Sequence, residues 1–202
     1  MAEVSYYKLL NDVLYGYDRF TPNNISHLRH GQIFVFGTDA NGSQRYGAAG
    51  LAAKRFGAII GQNEGLMGTS YALPSMGVDL NRLSQAINKF EDFAREHNNL
   101  TFLVTPIGCG HAGFKVNQVA PCFEGCVGLS NVYLPAQFIR FYLNKCKTKL
   151  GVLQDSNGND VTENVFIYYD EKVHPIIKYL LDNNIAFNKD GGFSLLDKSG
   201  YS

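Results

Sequence analysis

The amino-acid sequence predicts an α/β protein, with a three-layer α/β/α domain around a mixed, largely parallel sheet and a small C-terminal α+β appendage. Two observations lead to this prediction. Short apolar runs of strand length alternate with amphipathic stretches of helical spacing over most of the chain, which is typical of a parallel sheet covered by helices. Beyond residue 150, shorter apolar runs surround polar turns instead, so we expect a separate small unit there.

The composition is that of an ordinary globular protein, and it narrows the choice of partners. Of 202 residues, 45% are hydrophobic and 18% are charged, and 18 basic residues balance 18 acidic ones. A net charge of zero gives no reason to expect a nucleic acid or an anionic membrane as partner. No secretory signal or apolar stretch of membrane-spanning length is recognisable. We therefore expect a cytoplasmic protein.

The four cysteines follow neither a disulfide pattern nor a zinc pattern. Cys122 and Cys126 lie four residues apart, but no second pair of ligands accompanies them, and Cys109 and Cys146 are irregularly spaced. This usage favours a reducing compartment. We expect neither a metal nor another cofactor.

The chain divides into three predicted segments. Residues 1–30 are expected to form an N-terminal helical arm, residues 31–140 the core, and residues 141–202 a C-terminal helix and the appendage. In the appendage, the polar run Asp155–Asp160 predicts a hairpin turn, and residues 173–181 have helical spacing. Two further short strands are expected at residues 185–187 and 193–196.

Apolar runs predict four strands in the core. The third is the most hydrophobic and is expected at the centre of the sheet. Pro74 is expected to stop the second, and the polar, glycine-rich residues 62–68 before it are expected to form a loop. The predicted strands are residues 33–36, 71–73, 100–106 and 131–134.

Four helices are predicted between and after these strands. The first begins in the small-residue segment described below. Asp79 is expected to cap the second, an amphipathic helix that ends at Asn98-Asn99. Pro121 lies inside the third, at residues 116–127, and is expected to shorten or kink it. The fourth begins at Pro135.

The first strand leads into a loop that is suited to binding an anion. A polar segment follows the strand, and small residues then begin a helix. Loop N–H groups and the helix N-terminus carry partial positive charge, and the lack of side chains gives a phosphate access to the backbone. The pattern matches neither the G-x-G-x-x-G motif nor the P-loop, and close helix–strand packing is the alternative explanation. The candidate binding residues are Gly37, Thr38, Asp39, Asn41, Gly47, Ala48, Ala49, Gly50 and Leu51.

A second glycine-rich loop follows the third strand. Ligands of open α/β sheets bind beyond the carboxyl ends of the strands, so both loops are expected at one edge. Two facing loops can hold a pyrophosphate without a lysine, Asp39 and Asn41 can bind ribose hydroxyls, and Phe114 offers a wall for a sugar or base. This arrangement is suited to a small dinucleotide-like molecule such as ADP-ribose. The candidate residues are Gly108, Cys109, Gly110, His111, Ala112, Gly113 and Phe114.

These loops resemble the two phosphate-binding loops of macro domains, a superfamily of ADP-ribose-binding proteins. Asp39-Ala40-Asn41 followed by Gly47–Leu51 is similar to their first, asparagine- and glycine-rich signature, and Gly108–Phe114 is similar to their second, glycine-x-glycine-x-glycine loop. The resemblance covers residues 31–140. An uncharacterised group of macro-like proteins of phages and bacteria is also similar at residues 33–37, 68–74 and 101–114.

The resemblance implies a macro-like fold and roles for particular residues. Asn41 matches the asparagine that approaches the proximal ribose, whereas Asp39 departs from the first asparagine of the signature. Hydrolytic members often carry an aspartate after the glycine–valine pair, but here Leu51 is followed by Ala52. The missing acid favours binding over hydrolysis. A phage-encoded member is expected in the host cytoplasm, where it would remove a defence signal, by family analogy alone.

Three functions are compatible with the sequence. The first is a protein that binds or sequesters an ADP-ribose-class nucleotide. The second is a hydrolase or phosphatase acting on an ADP-ribosyl group, in which Asn41, Asp39 and His111 place the water, with Cys109 as a candidate nucleophile. The third is a structural or partner-binding protein. Structural alternatives also exist for the side chains: His111 filling its loop, a buried Cys109, and an Asp39 that caps its own loop.

Overall fold

The computed structural model describes residues 19–142 and the backbone of two strands nearer the C-terminus. Residues 19–138 form one compact unit, and residues 139–142 belong with the two strands to a second. The elements of the first unit are β1 Gln32–Asp39, α1 Gly47–Arg55, β2 Gly65–Met67, β3 Ser70–Met76, α2 Leu80–Glu96, β4 Thr101–Val104, α3 Val116–Val119, a 3₁₀ helix Ala120–Cys126 and β5 Val132–Tyr133. A further helical segment begins at residue 136.

The sheet of the first unit confirms the predicted α/β class. Its five strands lie in the order β2-β3-β1-β4-β5. β1 runs parallel to β3 and β4, β5 runs parallel to β4, and β2 is antiparallel to β3 at one edge. The sheet is therefore mixed and largely parallel. The central strand is β1 and not the more hydrophobic β4, which lies beside it.

Two predicted details of the strands are wrong. Residues 62–68, expected to be a loop, contain β2, which pairs with β3 through Leu66 and Tyr71. A three-residue edge strand is too short to show a hydrophobic period. Pro74 does not end β3, which continues to Met76. The register between β1 and β3 shifts next to this proline, and such irregularities are where a strand accepts a residue without an N–H.

Two alternate residues of β1 pack against α1. Phe34 and Phe36 are buried with Ala52 of α1 and Phe56 just beyond it. Their rings are 6.1 Å apart, and Phe56 lies 5.0 Å from Phe34, measured between centroids. Small residues on α1 let this short helix lie close to β1, which places the start of the helix beside the end of the strand.

α2 covers the sheet through an aromatic cluster. Asp79 caps the helix as predicted, because its side chain accepts a hydrogen bond from the Arg82 backbone N–H at 2.7 Å. Phe90 is fully buried and lies 5.1 Å from the ring of Tyr71 and 5.4 Å from that of Phe102. These edge-to-face contacts join α2 to β3 and β4. Tyr71 is a buried core residue.

In the second unit, β6 (Ala186–Lys189) pairs with β7 (Gly192–Leu195) in an antiparallel hairpin, where two short strands are predicted. Residues 1–18 of the predicted N-terminal helical arm, the hairpin around Asp155–Asp160 and the helix at 173–181 lie outside the described residues. Residues 19–30, the described part of the arm, are not helical, and Phe20 forms a parallel bridge with Leu134. Within the described parts of the chain, no helix combines the length and apolar character needed to cross a membrane.

Candidate functional site

Both glycine-rich loops border one cavity beyond the carboxyl ends of β1 and β4. This first cavity has a volume of about 550 Å³, and the end of β3 closes another side of it. Its predicted lining residues are Gly37, Thr38, Asp39, Gly47, Ala48, Ala49, Gly108, Gly110, His111 and Ala112. Its other lining residues, which were not predicted from the sequence, are Ser43, Gln44, Arg45, Tyr46, Ser75, Met76, Thr105, Pro106 and Ile107.

The remaining predicted site residues of the first loop lie outside this lining. Asn41 is exposed, and its backbone N–H donates to Oδ1 of Asp39 at 2.9 Å. Leu51 lines a second cavity. At Gly50, a Cβ atom would approach the carbonyl oxygen of Arg45 to 2.8 Å. Gly50 therefore serves close packing at the start of α1.

The carboxylate of Asp39 closes the first loop on itself. It accepts hydrogen bonds from the backbone N–H groups of Asn41, at 2.9 Å, and Ser43, at 3.0 Å, and from the Ser43 hydroxyl. These bonds, the one from the Ser43 side chain first, hold the pKa of Asp39 below its ordinary value. A carboxylate with a lowered pKa is a weak base. These contacts agree with the structural alternative, in which Asp39 caps its own loop.

The first loop is also fastened to the turn that precedes β2. Nε2 of Gln44 donates to the carbonyl oxygens of Ile59 and Gln62 at 2.8 and 2.7 Å, and the Gly61 N–H donates to the Gly42 carbonyl at 2.8 Å. Gln44 has a φ of +49°, a conformation that non-glycine residues adopt only where their surroundings enforce it. The first loop is therefore held in one shape before any ligand arrives.

Two buried side-chain oxygens of the first cavity's lining residues have no hydrogen-bond partner among the described residues. They are Oγ1 of Thr38 and Oε1 of Gln44, both on residues of its lining. Folded proteins leave few buried polar atoms unpaired, and those that remain call for an explanation such as a functional role or an ordered water.

The second loop is shaped by its own backbone. Gly108 has a φ of +76°, which glycine adopts without strain. Its carbonyl accepts from the Phe114 N–H at 3.0 Å, and the Gly110 carbonyl accepts from the Gly113 N–H at 3.0 Å. The Phe114 ring packs against Gly108, where a Cβ atom would approach it to 3.1 Å. Phe114 therefore supports the loop, and like Cys109 and Gly113 it is not part of the cavity wall.

Two titratable side chains of the second loop are candidates for chemistry. Burial raises the pKa of the Cys109 thiol, so that little of the nucleophilic thiolate forms at neutral pH. This argues against Cys109 as a nucleophile. His111 is exposed and lines the first cavity, so its imidazole is accessible to a ligand there.

Arg45 and Tyr46 are neighbouring residues of this lining that were not predicted from the sequence. Both are exposed. Among the described residues of the lining, Arg45 is the only lysine or arginine and Asp39 is the only acid. For an anion the lining offers one guanidinium and the start of α1, opposed by the single charge of the Asp39 carboxylate, which its hydrogen bonds keep ionised.

A second cavity of about 520 Å³ adjoins the first. The two share the wall residues Gly47, Ala48, Thr105 and Pro106. The second cavity is otherwise lined by Thr21, Pro22, Asn23, Asn24, Ile25, Ser26, Phe34, Leu51, Arg55 and Pro135. It combines apolar walls with amide side chains, and none of the described residues in its wall is acidic. It was not predicted from the sequence, because its wall joins segments that are far apart in the chain.

No known protein family matches the chain, and no curated protein or solved structure shows significant similarity to it. Among the residues that the structure describes, no group of three His, Cys, Asp or Glu side chains is placed to hold a metal ion. The function of the two cavities is therefore inferred from their own residues.

Proposed function

We propose that the protein is a macro-like domain that binds ADP-ribose or an ADP-ribose-derived nucleotide in the two adjoining cavities. The observation that carries this proposal is the shared wall, since it joins the two glycine-rich loops to a second, more apolar space. Each cavity lies within the usual size range of ligand pockets, roughly 300 to 1,000 Å³. Together they are suited to a ligand with two halves linked by phosphates.

The pyrophosphate is assigned to the shared wall and the first cavity. Gly47 and Ala48 begin α1, so the partial positive charge of the helix N-terminus lies at this wall. The guanidinium of Arg45 adds a full charge and donors in the geometry that phosphate prefers. The fastening of the first loop by Gln44 supports tight binding, because less of the loop has to be ordered when the ligand arrives.

The adenosine half is assigned to the second cavity. Ile25 and Leu51, which are partly exposed, provide apolar surface, and Asn23 and Asn24 provide amide donors and acceptors. This combination of apolar contact and a few polar groups is suited to a nucleobase. The proposal also includes a macro-like three-layer fold, in which α1 and α2 cover opposite faces of the sheet.

Binding or sequestering is favoured over hydrolysis. The Asp39 carboxylate is bonded to its own loop and its pKa is lowered, and the pKa of Cys109 is raised. Asp39 is therefore a poor general base, and Cys109 is a poor nucleophile. In a phage-encoded protein, such binding would sequester an ADP-ribose-type signal in the host cytoplasm.

Isothermal titration with ADP-ribose tests the proposal. We expect saturable binding with one site per chain, and no heat at millimolar ligand would refute it. The matched variants are Gly110→Glu and Gly128→Glu. Neither glycine has a positive φ, and a Cβ atom at either position would have no atom of the described residues within 4 Å. Only Gly110 lines the first cavity. The carboxylate at position 110 should abolish binding, whereas that at position 128 should leave it intact.

The second candidate function is hydrolysis of an ADP-ribosyl group, and the exposure of His111 at the first cavity favours it. Incubation with an ADP-ribosylated protein or ADP-ribose 1″-phosphate, followed by chromatography, separates the two functions. Turnover that is lost in His111→Ala supports the hydrolase. Intact ligand recovered after denaturation supports the binder.

A further inference from the structure

An aromatic ring stands in water at the mouth of the first cavity. Tyr46 is 85% exposed, the largest fraction among the exposed large hydrophobic side chains of the described residues. Met76, 42% exposed, lines the same cavity from the end of β3. Apolar surface grouped at the entrance of a pocket is more informative than scattered exposed side chains, because it can be covered by part of a ligand.

The backbone that carries this ring is firmly placed. Tyr46 is the residue before α1 and has an extended conformation, with φ −134° and ψ 162°. Its carbonyl accepts the N–H of Gly50 at 3.0 Å, and the close packing of Gly50 on the Arg45 backbone leaves little room for a shift. The ring therefore projects from a fixed backbone position, next to Arg45 in the chain.

A phosphate followed by a flat ring would match this pair of side chains. Arg45 can bind the phosphate, and the face of Tyr46 can stack on a heterocycle. A bare ribose has no flat face to offer, so it gains much less from an exposed aromatic ring. The second cavity already accommodates one base in the proposed function, which leaves Tyr46 for a ring at the other end.

We propose that the ligand carries a second heterocycle, which stacks on Tyr46, so that the protein binds dinucleotides with a ring at each end in preference to ADP-ribose itself. This inference rests on the proposed function, because it assumes that the phosphates lie between the two glycine-rich loops. It names the ligand class as an ADP-ribose unit extended by a base or by a nicotinamide-type ring.

Titration calorimetry with three probes tests the inference. The probes are ADP-ribose, NAD⁺ and diadenosine diphosphate, the last of which has an uncharged second ring. We expect both two-ring probes to bind about 5- to 150-fold more tightly than ADP-ribose, the factor that stacking one base provides. Tyr46→Ala should weaken the two-ring probes by more than it weakens ADP-ribose and so remove this advantage, whereas Tyr46→Phe should keep it.

The control is Ile60→Ala, which removes another exposed apolar side chain, 72% exposed, that lies outside both cavities. It should bind all three probes as the wild type does. ADP-ribose binding at least as tightly as the two-ring probes overturns the inference and leaves the proposed function standing. The inference also fails, with the proposed function again standing, if Tyr46→Ala weakens all three probes by one factor. If the wild type binds none of them, both proposals fail.

Discussion

In the proposed function, electrostatic recognition in the first cavity depends on Arg45, since no other lysine or arginine of the described chain lines it. Arg45→Gln keeps a polar side chain but removes the charge and most of the phosphate-binding geometry. Because a hydrogen bond to a charged group contributes roughly 1.5 to 3 kcal/mol, we expect the affinity for ADP-ribose to fall about tenfold or more. Calorimetry at two salt concentrations measures this, and the variant should show the weaker salt dependence.

Lys54→Gln is the matched control for Arg45. Lys54 is an exposed cation in the last turn of α1, and it lines neither cavity. Its replacement should leave the affinity unchanged. Equal losses in both variants would mean that only the overall charge of the protein attracts the ligand, and the assignment of Arg45 to a phosphate would be wrong.

Asp39 makes a prediction about pH. Its pKa is lowered in the folded protein, so its bonds stabilise the fold above the unfolded pKa and lose that effect as the pH falls through the folded value. Asp39→Asn should therefore be less stable than the wild type at pH 7, and the difference should shrink below about pH 4. Urea denaturation over this range measures it, with Glu96→Gln as an exposed control on α2. A difference that is constant with pH would exclude the charge of Asp39 as its source.

The residues of the site were only partly predictable from the sequence. Glycines after an apolar strand are a local signal, and both loops were found from it. The direction in which Arg45 and Tyr46 point has no such signal, because it depends on the turn of the chain at Gln44. That turn is enforced by carbonyl groups 15 and 18 residues further along the chain, which local patterns do not reveal. Asn41, chosen for its residue type, is exposed outside the lining for the same reason.

At the scale of elements, the first loop and the turn before β2 form one rigid structure. Gly42 has a φ of +64°, and a Cβ atom there would approach the Gln62 backbone to 2.8 Å. Gly47 has a similar φ of +57°, but no atom of the part of the chain that the structure describes lies within 4 Å of its Cβ position. Both alanine variants lose stability to the left-handed conformation, roughly 1 to 2 kcal/mol, but only Gly42→Ala adds a backbone clash. We expect it to be the less stable of the two by a further 1 to 3 kcal/mol or so.

Denaturant unfolding of the two glycine variants provides the measurement, and their common φ makes each the control of the other. Equal stability losses would show that the turn before β2 yields to the added methyl group. In that case the first loop would not be held in advance, and the contribution of its rigidity to ligand affinity would have to be withdrawn.

The elements differed in how well the sequence predicted them. α2 has its own cap and a long apolar face, so its start at Asp79 was found from local pattern alone. Pro121 correctly marked the point where α3 gives way to a 3₁₀ helix, which begins at Ala120. β2 has no sequence signal of its own, because only its pairing with β3 defines it. The sequence places the end of β3 too early, at Pro74, because the irregular register between β1 and β3 accommodates a proline.

For the molecule as a whole, the parallel register of β1 and β4 creates the site. Val35 pairs with Val104, and the backbone N–H and hydroxyl of Thr105 both donate to the Val35 carbonyl, at 3.0 and 2.9 Å. β4 ends at this point, whereas β1 continues beside β3 to Asp39. Two loops about seventy residues apart in sequence are thereby brought to one cavity. A ligand bound by one loop should therefore also contact the other.

Hydrogen exchange tests this coupling. With saturating ADP-ribose, amides in residues 39–49 and 105–112 should both exchange more slowly at short labelling times, when exchange reflects local opening. Peptides around Thr69 and Leu100 are the internal control. These two residues line neither cavity, and they lie in a separate groove near the amino ends of the strands. Protection of one loop alone would contradict a ligand held between the two. Protection that persists in Gly110→Glu would place the ligand elsewhere, since that side chain occupies the space assigned to the phosphates.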